Sequence, residues 1–182
     1  MNTIEKEQKK DSNILEIFNV IIMSSGYIGL FFSGFISQNQ SYYLLVGSMG
    51  WTIWIFGLIL AFSPNIVFKR RGGVAKGKSY IYTTKLVNDG IYGLIRHPQY
   101  TGGMVIAFSM CLIVQTPLTY ILAIIAMVTT YLAIVFEEKR LMIKFGSQYE
   151  NYKNEVPRVN LLIGLIRKLR KRTENETCLS ND

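Results

Sequence analysis

Charge is missing where a water-soluble chain needs it. Between Glu16 and Lys69 there is no Asp, Glu, Lys or Arg, and the same holds between Arg96 and Glu137. A soluble helix needs a polar face, and these stretches have no charges with which to build one. Uncharged apolar runs of roughly 18 residues or more read as membrane spans. Cysteine is scarce too. Cys111 lies in an apolar run and Cys178 in the polar tail. Two cysteines without metal-ligand or redox spacing give no disulfide framework and no metal centre. Cys178 is followed by Leu-Ser-Asn-Asp, which does not make a prenylation box. The glycines fit neither a phosphate loop nor a dinucleotide fingerprint.

What is present points the same way. The 182 residues are 49% hydrophobic, enough for one domain. The mean hydropathy of +0.23 is high for a soluble protein. The formal net charge is +8, carried between and after the apolar blocks. Membrane orientation and contact with anionic lipid explain that balance more simply than nucleic acid does.

Met1 to Glu16 reads as a mixed-charge leader. Ile17 to Ile36 is the first span, too long for a cleaved signal peptide. At 1.5 Å per residue it covers about 30 Å, the thickness of the hydrocarbon core. Ser37 to Ser41 is an uncharged turn, and Tyr42 to Phe62 the second span, closed by Ser63-Pro64-Asn65. A basic loop follows, from Lys69 to Lys85, and Tyr80 to Val87 is β-prone by composition. The apolar stretch Pro98 to Phe136 is too long for one span. Gln115-Thr116-Pro117 breaks it, because proline disfavours helix in the residue before it. Two antiparallel helices result, about Gln99 to Val114 and Pro117 to Phe136. Glu137 to Lys153 reads as a helix leaving the membrane, with Gly146 as a bend. Asn160 to Arg172 has Leu162, Leu165, Ile166 and Leu169 on one face and five basic residues on the other, the pattern of an interfacial helix. The last ten residues read as disordered.

The expected fold is therefore all-α and polytopic, with about four transmembrane helices in two hairpins and C-terminal cytoplasmic or interfacial helices. Its expected parts are the leader (1–16), an N-terminal hairpin (17–62), a core (63–158) and a basic helix with its tail (159–182). The two turns carry no charge and the loops are basic, so both termini and the central loop are expected on the cytoplasmic side.

Ionisable residues crowded against a span call for a reason. Arg96-His97-Pro98-Gln99-Tyr100 opens the third span, and Glu137-Glu138-Lys139-Arg140 closes the fourth. A hairpin makes these ends neighbours. Singly, each has a structural explanation. Arg96 fits an interfacial anchor, Pro98 a first helical turn and the glutamates a solvated exit. Together they suggest a polar site on one side of the membrane.

The run Leu86 to Gly102, with Asp89-Gly90-Ile91-Tyr92 and Arg96-His97-Pro98-Gln99-Tyr100, resembles the signature of the isoprenylcysteine carboxyl methyltransferase and phospholipid methyltransferase group. So does Glu137 to Tyr152, and Val156-Pro157-Arg158 completes the likeness, which covers roughly Lys85 to Arg158. Such enzymes are integral membrane methyltransferases that use S-adenosyl-L-methionine. The resemblance implies cofactor contacts at Leu86, Val87, Tyr92, His97, Pro98, Gln99, Tyr100, Glu137 and Glu138, with the stretch from Thr84 to Val87 falling beside them. It also implies catalytic roles for Arg96, His97 and Glu137, a turn permitted by Gly90, and a cytoplasmic site. The chemistry of these residue types fits. A carboxylate can accept from ribose hydroxyls or an ammonium, His97 and Arg96 can meet the cofactor carboxylate, and tyrosine faces suit an adenine or a sulfonium. No metal is required. One position departs from the isoprenylcysteine enzymes. Their arginine, four residues before the cofactor glutamate, is matched here by Ala133. A lipid amine, or another acceptor dissolved in the bilayer, would not need that arginine.

The leading expectation is methyl transfer to a lipophilic acceptor, either a prenylcysteine carboxylate or a lipid amine or thiol. A non-enzymatic membrane scaffold or transporter subunit is the alternative, and it predicts no cofactor binding. The polar residues sit at one end of the spans only, which counts against transport. Recruitment of nucleic acid has only net charge behind it.

Overall fold

A computed structural model describes residues 3–36, 43–71 and 85–179. Among these residues six α-helices follow one another: α1 (Thr3–Ile36), α2 (Leu44–Arg71), α3 (Pro98–Val114), α4 (Pro117–Phe145), α5 (Ser147–Glu155) and α6 (Leu161–Leu179). A 3-10 turn at Gly90–Gly93 precedes α3. No strand occurs among the described residues, so the all-α expectation holds. The loop Ser37 to Ser41 and most of the basic loop, including Tyr80 to Thr84, lie outside the described residues. Leu86 and Val87, the described end of the β-prone stretch, form no strand.

Among the described residues, three helices are long and apolar enough to cross a membrane: Asn13–Ile36, Leu44–Pro64 and Pro117–Phe145. α3 is apolar but has only 17 residues, about 25 Å of helix. Four boundaries differ from the sequence expectation, the first being Phe136, which α4 passes unbroken to end at Phe145. The leader is helical from Thr3 onward. α2 does not close at Ser63-Pro64-Asn65 but runs through Pro64 to Arg71. Pro64 removes the amide that would bond the Leu60 carbonyl. The Ser63 hydroxyl donates to that same carbonyl at 2.8 Å, so the freed acceptor is satisfied and the helix continues. The tail expected to be disordered is helical to Leu179, because no proline or glycine after Gly164 stops it.

The chain forms two compact units, one comprising residues 1–59 and 102–139, the other 60–101 and 140–182. In the first unit, α1 and α4 run antiparallel. Asn19 Nδ2 donates to the Thr129 carbonyl at 3.0 Å, and the Thr119 hydroxyl donates to Ser33 Oγ at 3.1 Å. Between them, Gly26 lies against Ala126 and Gly29 against Leu122. Interhelical hydrogen bonds contribute only about 0.6 kcal/mol each in a bilayer, so close approach of small residues matters at least as much. α2 meets α3 through Gly50 and Gly57, two turns apart on one face. A Cβ on Gly50 would stand 2.8 Å from Ile113 Cγ1, and one on Gly57 the same distance from Ile106 Cγ1. Leu30, Ala107, Ala123 and Ala126 form the core of this unit.

The break between α3 and α4 falls where the sequence places it. Gln115 adopts φ 54°, a left-handed conformation that costs a non-glycine residue about 1–3 kcal/mol. Its side chain offsets that cost. Nε2 donates to the Tyr43 and Leu112 carbonyls at 3.0 and 2.9 Å, and Oε1 accepts from the Tyr43 amide at 3.0 Å. Outside this core, Phe31, Phe35, Leu44 and Leu45 stay exposed, Leu45 at 80%. Lipid is the environment that such an apolar surface requires.

Candidate active site

The second unit carries the Arg-His-Pro loop. Its path starts at Gly90, whose φ of 60° is readily reached by glycine. The turn is held by the Tyr92 amide donating to the Asp89 carbonyl at 3.1 Å and the Ile95 amide to the Ile91 carbonyl at 3.0 Å. Pro98 then opens α3 at the position where a missing amide costs nothing. The Thr101 amide and hydroxyl both donate to the His97 carbonyl, each at 2.9 Å, fixing the first turn.

The chain around Pro157 holds this loop directly. The Arg96 amide donates to the Pro157 carbonyl at 3.0 Å, and the His97 amide to the Arg158 carbonyl at 3.2 Å. Nearby, the Tyr152 hydroxyl donates to the Tyr92 carbonyl at 2.7 Å. Tyr149, Tyr152 and Val156 form a buried cluster against Leu86, Leu141, Met142 and Phe145. Gly146, at φ 52°, separates α4 from α5 and lets the chain turn so that these tyrosines face inward. Gly164 of α6 packs on the Leu94 carbonyl so closely that no side chain fits there.

The expected site residues divide between the two units. Leu86, Val87, Tyr92, Arg96, His97, Pro98, Gln99 and Tyr100 belong to the second. Val87, Tyr92, Arg96, His97 and Pro98 are buried, Leu86 and Tyr100 half-buried, and Gln99 exposed. The rings of His97 and Tyr100 meet edge to face, with centroids 5.9 Å apart. Glu137 and Glu138 belong to the first unit, at the end of its share of α4, Glu137 half-buried and Glu138 buried. Thr84 lies outside the described residues.

Sequence reasoning missed the supports of the loop. Tyr149 and Tyr152 fall inside the family-like run Glu137 to Tyr152 but the sequence names no partner for them, and Gly164 shows only as a small residue in an amphipathic helix. Burial pushes the Tyr152 phenol well above the usual tyrosine range, Tyr149 adds to the shift, and the Arg96 charge opposes it. A phenol whose pKa is raised by folding stabilises the fold below the unfolded value near 10, and that contribution is lost as pH rises beyond it. Tyr152→Phe removes the hydrogen bond to the Tyr92 carbonyl and should cost about 0.5–1.5 kcal/mol. Thermal unfolding in detergent should show this loss at neutral pH, and a smaller difference between the two proteins at strongly alkaline pH.

The phospholipid methyltransferase family profile matches residues 45–148, a stretch that includes the loop, α3, α4 and both glutamates. The chain belongs to the phospholipid methyltransferase family. It is also 29% identical, over 117 residues, to protein-S-isoprenylcysteine O-methyltransferase B of Arabidopsis thaliana. That match covers 59% of this chain and 58% of the relative, so the chain spans less than two thirds of the relative's length. No solved structure matches the chain. Pro157, Arg158 and α6, which hold the loop in place, lie beyond the family match.

Proposed function

We propose that this protein is an S-adenosyl-L-methionine-dependent methyltransferase whose acceptor is a lipophilic molecule dissolved in the bilayer. The observation that carries the reading is the buried Arg96-His97-Pro98 loop, pinned by its backbone to Pro157 and Arg158 inside a family-matching chain. The cofactor supplies an activated methyl group on a sulfonium. Arg96 and His97 would bind its carboxylate, Tyr92 and Tyr100 would offer faces to its adenine or sulfonium, and Glu137 would accept from its ribose or ammonium. Transfer of that methyl group would draw much of its acceleration from fixed alignment and exclusion of water. A backbone held at residues 96–97 and a doubly bonded first turn of α3 serve alignment.

The acceptor reaches the site laterally from the bilayer, and the cofactor enters from the cytoplasmic, basic face. Ala133 is buried in the first unit. An acceptor carboxylate would find no cation at that position, which favours a lipid amine or another acceptor without a carboxylate. An ammonium acceptor must first lose its proton.

Incubating the purified protein with native membranes and methyl-labelled cofactor tests the reading. Mass spectrometry should find the labelled methyl group in the lipid fraction. Absence of transfer, together with absence of cofactor binding by calorimetry, would favour the scaffold reading instead.

A further inference from the structure

α6 begins with a firm anchor. Asn160 Oδ1 accepts from the Ile163 amide at 3.1 Å, a helix cap, and Gly164 rests on Leu94. Arg167 Nη1 donates to the Glu155 carbonyl at 3.3 Å, a second tie to the same unit. At 100° per residue, Gly164 marks the side of the helix that faces the protein. Leu162, Leu165, Ile166 and Leu169 lie about 100–160° round the helix from it and are all exposed, Leu162 at 73% and Ile166 at 65%. Arg170 stands about 40° beyond Ile166 and Lys168 about 60° beyond Leu165, toward the Gly164 side, and both are exposed. Between Glu155 and Glu174 the chain has Arg158, Arg167, Lys168, Arg170, Lys171 and Arg172, and no acidic residue.

We infer that the outward face of α6 docks on a lipid surface rich in anionic phospholipid. Its leucines and isoleucine enter the acyl boundary, while Lys168 and Arg170 reach lipid phosphates from the two edges. The charge selects the partner, since this stripe lies in a stretch, between Glu155 and Glu174, whose charged residues are all basic, and such a stretch suits an anionic interface. The seat of Gly164 on Leu94, two residues from Arg96, connects this docking to the loop. The consequence for catalysis rests on the proposed methyl transfer, whereas the docking itself does not.

The test uses the full chain in nanodiscs, with Cys111→Ser and Cys178→Ser and a nitroxide on Ile166→Cys. In phosphatidylcholine discs containing phosphatidylglycerol, the label should be accessible to oxygen and shielded from a water-soluble nickel chelate. Lys168→Gln with Arg170→Gln should lower the ratio of inserted to lifted label by roughly 30-fold, at about 1 kcal/mol per basic residue. A water-exposed label, a depth indifferent to lipid charge and to these substitutions, or label-to-label coupling showing a second copy on this face would each overturn the inference. Because the readout is depth, failure of methyl transfer would leave the result interpretable.

Discussion

His97→Ala should weaken cofactor binding by about 10- to 100-fold and depress turnover further. A charge-assisted hydrogen bond contributes about 1.5–3 kcal/mol, and each 1.4 kcal/mol is a factor of ten. His97 is buried, its amide is committed to the Arg158 carbonyl and its carbonyl to Thr101, so the backbone would stay placed when the ring is removed. The effect should therefore report the ring and not a collapsed loop. Glu137→Ala should act in the same direction, while Gln99→Ala, at an exposed position, should lose much less. Calorimetry with the cofactor and initial rates with labelled methyl groups separate binding from turnover. Unchanged activity in His97→Ala or Glu137→Ala would overturn the site assignment.

Gly164→Val should be the most disruptive single substitution outside the loop. Its first added carbon would meet the Leu94 carbonyl, a backbone group that cannot swing aside like a flexible side chain. Either α6 lifts away or the Leu94 to Arg96 backbone shifts. An overpacked contact costs typically about 1–3 kcal/mol, and a displacement of about 1 Å at reacting groups can cost roughly 100-fold in rate. Thermal unfolding and turnover measured together distinguish these outcomes. A lifted helix lowers stability with modest loss of rate, whereas a shifted loop lowers rate more. A variant with wild-type stability and rate would show that the contact is dispensable.

Much of this architecture is legible in the sequence because the signals are local. Uncharged runs mark α1, α2 and α4, since burying charge in hydrocarbon is costly whatever the neighbours are. Gln115-Thr116-Pro117 marks the break, and Gly146 the bend, because both act through their own backbone. The Arg-His-Pro loop and the glutamate pair are visible as residue patterns. Pro64 shows the limit of such reasoning. Proline predicts a stop, and the Ser63 hydroxyl bonded to the Leu60 carbonyl removes the reason for it.

The sequence by itself determined that this is an all-helical membrane chain with polar clusters at the ends of its apolar helices. Only the tertiary structure decided what supports the Arg-His-Pro loop. Tyr152 reaches the Tyr92 carbonyl across 60 positions, and the 96–97 amides find the carbonyls of Pro157 and Arg158. Gly164 meets Leu94 at a contact that no side chain can enter. Each depends on two segments far apart in the chain arriving at one place. Hydropathy and spacing report what a segment prefers, whereas the partner of a buried carbonyl is set by packing.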